Sequence, residues 1–363
     1  EMDFTLSEEL SMVREMARDF VTNELLPVER DVLVREKGGS RGAPVPADQR
    51  ERLKKLAVEQ GLWAMAAPEA FGGGGLSTLG VCLVAEELGK TFVDFDFGDV
   101  PPVLFQANAE QKAQFLAPVI AGEKDCVLAL GEPEWNGTAE IKTRGTRDGE
   151  GWCLSGVKMA GEADLYLVFA QTDDGTTWFI VERGGQGVAN RDGRLVLENA
   201  PVPAANVLGS VGGATTLGKT YQPARQVRAA ARKVGIACRL LEMSWQYARD
   251  WKALGQALAV RPAIQRHLAE MATEIDAARW MVYHAASEID AGKDARQDAL
   301  RASLFASDMA QRAIDRTIEI YGGPAHAADL PVLRVYSSKL KPKTSESILE
   351  LQRFRIANDL ITQ

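Results

Sequence analysis

The chain has 363 residues, with 42 Lys and Arg against 50 Asp and Glu, for a formal net charge of −8. A hydrophobic fraction of 46% and a charged fraction of 25% exclude a disordered chain, and the 33 glycines follow no collagen period. No block of Lys and Arg points to nucleic acid, and no apolar run approaches the roughly 18 residues that a membrane helix needs. Residues 1–30 mix acids into an amphipathic pattern, so neither a signal nor a transit peptide is expected, and the expected location is the cytoplasm. Cys82, Cys126, Cys153 and Cys238 are far apart among apolar neighbours, which predicts buried free thiols, and the 3 histidines form no metal-binding spacing.

Residues 1–122 read as helical. Thr5 to Glu8 fits a capping box, and Leu10, Val13, Ala17, Phe20 and Val21 follow at helical spacing up to an expected stop at Pro27. Lys37 to Pro46 reads as a surface loop, Arg50 to Gln60 as a short helix, and Pro68 to Gly75 as a glycine-rich turn. Ser77 is placed to cap a helix carrying Leu79, Leu83, Val84 and Leu88.

Helical periodicity is lost over residues 123–208. Trp152 to Gly156, Leu165 to Ala170 and Thr177 to Val181 read as strands, with hairpin turns at Asp148-Gly149, Asp174-Gly175 and Asp192-Gly193. A small antiparallel sheet is expected. Helices return over residues 209–363: Val227 to Ala253, Ile264 to Ile289 with a stop at Gly292, Leu300 to Tyr321 before Gly322-Gly323, and Ser345 to Ile361. Long helices with short connections predict an antiparallel four-helix bundle. The fold class is thus α+β, mostly α.

Composition and spacing alone name no reaction. There is no GxGxxG or P-loop pattern, Gly72 to Gly75 reads as a structural turn, and His267, His284 and His326 share no motif. Glu346, early in the last helix, suits the helix dipole whether or not it has a chemical role.

The order of the motifs carries more. Ala67-Pro68-Glu69-Ala70-Phe71-Gly72-Gly73, Glu86-Glu87-Leu88-Gly89, Phe115 to Lys124, Glu132-Pro133, Trp152 to Lys158, Val202 to Gly209 and Ile318 to Gly323 together resemble the acyl-CoA dehydrogenase family along nearly the whole chain. The resemblance implies an N-terminal helical domain at 1–122, a middle β-domain at 123–208 and a C-terminal four-helix bundle at 209–363, assembled as tetramers or dimers. It implies α,β-dehydrogenation of an acyl-CoA thioester, in which a glutamate removes the α-proton and a hydride passes to FAD. The reduced flavin then serves a separate electron-transfer acceptor protein. Aligning Leu351-Gln352-Arg353 with the family's ending places Glu346 as the base. Arg225, which cannot act as a base, stands where other members carry theirs. For the cofactor, the resemblance assigns Gly131, Thr138, Gly322 and Gly323.

The departures cluster on the flavin. The family's threonine before Glu-Pro is Gly131, and its Gly-Ser-Asp reads Gly137-Thr138-Ala139. A Trp-Ile-Thr segment that should face the ring is missing between Met159 and Asp164. Trp251 replaces an arginine and Glu319 a glutamine at the expected diphosphate and adenine contacts. Together they argue for a weakened or lost flavin site. The expected function is an acyl-CoA dehydrogenase-type oxidoreductase, either an active FAD-dependent enzyme that uses unusual contacts or the flavin-poor subunit of a hetero-oligomer, and a homo- or hetero-oligomer of related subunits is expected. The alternative is a non-catalytic scaffold or acyl-CoA-binding protein that kept the fold.

Overall fold

The computed structural model describes residues 5–37, 45–133, 141–326, 332, 335 and 349–362; Thr138, Glu346 and the expected helix start at Ser345 lie outside them. Helix α1 (Glu8–Phe20) is capped by Ser7, whose Oγ accepts from the Leu10 amide at 3.2 Å, so the cap falls two residues later than the Thr5 box expected. Its stripe of Val13, Ala17 and Phe20 is buried. Pro27 does not stop the chain's helix. A π-helical turn (Val21–Leu25) leads into α2 (Leu26–Lys37), and Pro27 occupies its first turn, where a missing N–H costs little.

Next come α3 (Ala47–Glu59) and α4 (Thr78–Gly89), the latter capped as expected by Ser77. Between them the glycine-rich turn packs too tightly for side chains: a Cβ on Gly73 would lie 2.2 Å from the Ala67 carbonyl oxygen. The short helices α5 (Ala109–Gln111) and α6 (Ala117–Ile120) complete the first helical part; Asn108 and Gln111 form a reciprocal capping box.

Eight strands follow: β1 (Cys126–Ala129), β2 (Arg144–Asp148), β3 (Gly151–Met159), β4 (Leu165–Thr172), β5 (Gly175–Glu182), β6 (Val188–Arg191), β7 (Arg194–Val202) and β8 (Val207–Leu208). Their order is β6-β7-β3-β2-β4-β5-β8, with β1 on β4. The sheet is mixed rather than antiparallel, because β1 and β2 both run parallel to β4. The chain from β1 to β4 contains the whole β2–β3 hairpin, and such a crossover allows parallel neighbours. An Asp-Gly pair marks each of the three hairpins, with Gly149, Gly175 and Gly193 at positive φ, but only Asp192-Gly193 is itself the two-residue turn; Gly149-Glu150 and Asp173-Asp174 make the other two.

Strand β4 is buried on both faces. Leu165, Leu167 and Phe169 pack with Phe115, Leu116 and Val119 of the helical part. Tyr166, Val168 and Ala170 alternate onto Trp152, Leu154, Phe179 and Leu197.

The remaining helices are α7 (Ala214–Asp250), α8 (Pro262–Asp290), α9 (Arg296–Tyr321) and α10 (Leu349–Thr362). Helix α7 begins well before the expected Val227 and contains Pro223. It ends at Asp250, where Lys252-Ala253 and Gln256-Ala257 pair as a small hairpin, β9–β10. The bundle core of Val234, Ala237, Ile275, Ala278, Ala302 and Ala306 continues onto Cys82 and Ala85 of α4.

Candidate functional site

Between α3, α4, β1 and the first half of α7 lies a cavity of about 520 Å³. One wall is the segment that leaves α4. Phe95 and Phe97 alternate inward onto Phe20, at centroid distances of 5.7 and 5.0 Å, which turns Asp96 the other way, toward α7. Gly98 turns beneath Trp63: a Cβ there would come within 2.4 Å of the indole, and its φ of 69° is one a side chain rarely adopts. The next residue, Asp99, is thereby held at the cavity.

The adjoining wall is α7, which Arg228 ties to the first. Tyr221, Ala224, Arg225 and Arg228 recur at three- and four-residue spacing and line the cavity along one helix face. Arg228 donates to Asp96 at 2.8 Å and also pairs with Asp99. Arg232 donates to Asp96 at 2.9 Å and to the Phe95 carbonyl at 3.2 Å. Burial works against the Asp96 charge, yet Arg232 and Arg228 outweigh it and hold the carboxyl below its ordinary range.

Residues Asp125 to Leu128 form the third wall. Asp125 accepts from Lys54 at 3.0 Å, and that ammonium lies 5.1 Å from the centre of the Trp63 ring. Burial, with Asp99 and Asp125 beside it, pushes the Cys126 thiol up to about 12, so it stays protonated and is no nucleophile. Phe105, Val100 and Val119 complete an apolar side. The cavity can hold an elongated ligand with both apolar and polar parts.

A second constellation sits at the end of β3. Lys158 is fully buried and donates to Glu132 at 2.8 Å and to the Leu130 carbonyl at 3.2 Å. Glu132 also accepts from the Thr143 amide and hydroxyl and from the Lys142 amide. Burial opposes its charge, but Lys158, Thr143 and the two amides prevail and hold it at about 2. Glu132 and Lys158, each in a motif that carries the resemblance, thus serve each other.

Gly131 precedes Glu132, and its carbonyl accepts the Met159 amide at 2.7 Å; among the described residues a Cβ there would meet only Met159, at 4.0 Å. The Ala160 amide is bonded to the Gly193 carbonyl at 3.1 Å, and Asn190 Nδ2 donates to the Ala160 and Gly161 carbonyls. Ala160 and Ala163 are buried. This link is closed on itself. Among the described residues from Met159 to Asp164 there is no aromatic ring and no hydroxyl.

Gly322 ends α9 with a φ of 61°, Gly323 opens a 3₁₀ turn, and a Cβ on either would meet nothing within 4 Å among the described residues. Beside them Glu319 is paired with His267 Nε2 at 3.0 Å. Trp251 stacks on Tyr247 at 5.6 Å, and Tyr247 on Tyr321 at 4.1 Å. The structure therefore gives Gly131, Gly322 and Gly323 backbone roles at separate elements. The Asp96–Asp99–Arg228–Arg232 cluster was missed in the sequence. Its one signal is the spacing of Arg225, Arg228 and Arg232 along a helix.

These features match known proteins over the whole chain. Residues 7–123 match the family described as acyl-CoA dehydrogenase, N-terminal domain, and residues 213–343 match acyl-CoA dehydrogenase, C-terminal domain. The "Probable acyl-CoA dehydrogenase YngJ" of Bacillus subtilis (strain 168) is 31% identical, over 99% of this chain and 100% of its own length. The mitochondrial short-chain specific acyl-CoA dehydrogenase of Bos taurus is 29% identical, over 98% of this chain and 91% of its own. The butyryl-CoA dehydrogenase structure from Megasphaera elsdenii superposes with a TM-score of 0.86 at 27% identity, covering 99% of this chain and 100% of that one. The chain belongs to the acyl-CoA dehydrogenase family.

FAD is the cofactor that this family implies. The described residues do not fit its ring: the link after β3 offers neither a stacking face nor a hydroxyl, and the Met159 and Ala160 amides already have partners. Glu319 adds an anion near the place where the diphosphate is expected. Among the described residues no group of His, Cys, Asp and Glu could hold a metal, and no helix is long and apolar enough to cross a membrane.

Proposed function

We propose that this chain is a subunit of an acyl-CoA dehydrogenase-type oxidoreductase that binds acyl-CoA and holds little or no FAD by itself. It works in a hetero-oligomer with a flavin-loaded subunit of the same fold, which delivers electrons to an electron-transfer acceptor protein. The observation that carries this reading is the closed link from Met159 to Asp164, whose amides and carbonyls bond to Gly131, Gly193 and Asn190.

The acyl thioester is assigned to the cavity between Asp99, β1 and α7. Glu346 is the proposed general base, on the register set by Leu351-Gln352-Arg353. A carboxylate there removes the α-proton if the thioester carbonyl is polarised and water is excluded. The remaining candidate contacts for a shared flavin are Gly131, Thr138, Gly322 and Gly323.

The test is co-expression of the chain with a flavin-binding family member, followed by purification on a tag carried by this chain. A yellow complex from co-expression and a colourless protein from expression alone support the proposal. A colourless product in every combination favours the scaffold reading.

A further inference from the structure

One wall of the cavity is ionic where a hydrocarbon tail needs apolar surface. Arg228 bridges Asp96 and Asp99, and both Arg228 and Asp99 line the cavity. Asp99 leaves 57% of its side chain exposed and Arg228 26%. On the same wall the Tyr221 hydroxyl accepts from Gln106 Nε2 at 3.0 Å, which leaves its proton for a second partner.

A hydrocarbon tail pressed against this wall strips water from a carboxylate and a guanidinium and returns no hydrogen bond. A ligand group that both donates and accepts can replace that water. It can donate to Asp99 and accept from Arg228 or Tyr221. A charged end fares worse at this wall, because Arg228, Asp96 and Asp99 are already paired and an added charge of either sign must displace one of those pairs. Breaking the cluster to reach more apolar surface would leave Arg228, only 26% exposed, without its carboxylate partners.

We infer that the cavity selects short acyl groups ending in a hydroxyl over hydrocarbon acyl chains of the same length, with Asp99 and Arg228 as the specificity-determining residues. This rests on the reading of the cavity as the acyl-CoA site.

The experiment is calorimetric titration of the purified chain with 4-hydroxybutyryl-CoA and with pentanoyl-CoA, which has nearly the same shape. Succinyl-CoA and 4-aminobutyryl-CoA supply the anionic and cationic ends. The hydroxyl ligand is expected to bind at least about tenfold more tightly than pentanoyl-CoA, a difference of about 1.4 kcal/mol. Asp99→Leu should erase that preference and Asp99→Asn should keep it. Tyr221→Phe, which removes one donor without touching the ion cluster, should reduce it. Thermal unfolding of each variant verifies that it is folded. Equal or tighter binding of pentanoyl-CoA, tighter binding of either charged ligand, or an unchanged preference in both Asp99→Leu and Tyr221→Phe overturns the inference. No binding of any of the four ligands overturns the acyl-CoA reading itself, and the selectivity inference with it.

Discussion

Gly89 on α4 and Gly235 on α7 meet where the two helices cross. A Cβ on Gly235 would lie 1.9 Å from the Glu86 carbonyl oxygen, and one on Gly89 would lie 2.3 Å from the Arg232 carbonyl oxygen. The crossing sets α7 against α4 closely enough for Arg228 and Arg232 to reach Asp96 on the segment that follows α4. It also gives the Glu-Glu-Leu-Gly motif a physical meaning. Glu86 accepts from Arg279 and Tyr283 of α8, Glu87 pairs with Arg18 of α1, and Gly89 lets α7 pass.

Gly235→Ala should therefore destabilise the chain by about 1–3 kcal/mol or more, the usual cost of overpacking. Gly322→Ala is the comparison: among the described residues its Cβ meets nothing within 4 Å, and only its backbone, with φ 61° and ψ −134°, opposes a side chain. It should cost about 1–3 kcal/mol, through backbone strain alone. Urea unfolding of the two variants measures both costs.

The Glu132–Lys158 pair predicts an acid limb in the stability profile. Glu132 is held at about 2 in the folded chain, below the ordinary glutamate value of about 4.3. A depressed carboxyl stabilises the fold fully above the unfolded value, and the contribution fades as pH falls from about 4.5 toward 2. Glu132→Gln should flatten that limb. Lys158→Met alone leaves a buried carboxylate without its cation and should cost about 3–5 kcal/mol, whereas the double variant should cost less than the sum of the two.

The proposed base can be tested without any flavin. α-Proton exchange of a bound acyl-CoA into deuterated water needs only a base and a polarised thioester. Glu346→Gln should slow that exchange by about 10²- to 10⁴-fold while leaving acyl-CoA affinity in place. Exchange at the wild-type rate would remove Glu346 from the role.

Restoring the missing segment should restore cofactor affinity in part. A Trp-Ile-Thr insertion after Ala160, combined with Gly131→Thr, supplies the stacking face and hydroxyls that the link from Met159 to Asp164 lacks. Among the described residues only Met159 lies near a Cβ at Gly131, at 4.0 Å, which leaves room for the new side chain on that side. FAD retained through gel filtration should rise relative to wild type, as read by absorbance.

The long periodic elements were legible in the sequence. Helices α8 and α9 follow uninterrupted apolar spacing, and the Asp-Gly pairs mark their hairpins because a tight turn needs positive φ. Pro27 misled because a π turn ahead of it shifts the proline into a position that tolerates it. The early start of α7 was hidden by Pro223, which breaks the local pattern without breaking the helix. The parallel pairing of Cys126 with Leu165 was invisible, since register across a crossover leaves no local trace.

The candidate site was less legible for the same reason. Arg228 finds Asp96 at a separation of 132 residues, and nothing near either residue announces the other. The flavin departures could be read because they replace or delete residues inside motifs that are otherwise intact. Their consequence, a link sealed by its own backbone bonds, needed the positions of Gly193 and Asn190.

The most direct measurement is flavin content after reconstitution. The chain is expressed alone, incubated with excess FAD, desalted, and its bound flavin per chain read from the absorbance spectrum. An occupancy well below one FAD per chain is predicted for wild type. A full complement of one FAD per chain in the protein expressed alone would contradict the proposal that the chain is flavin-poor.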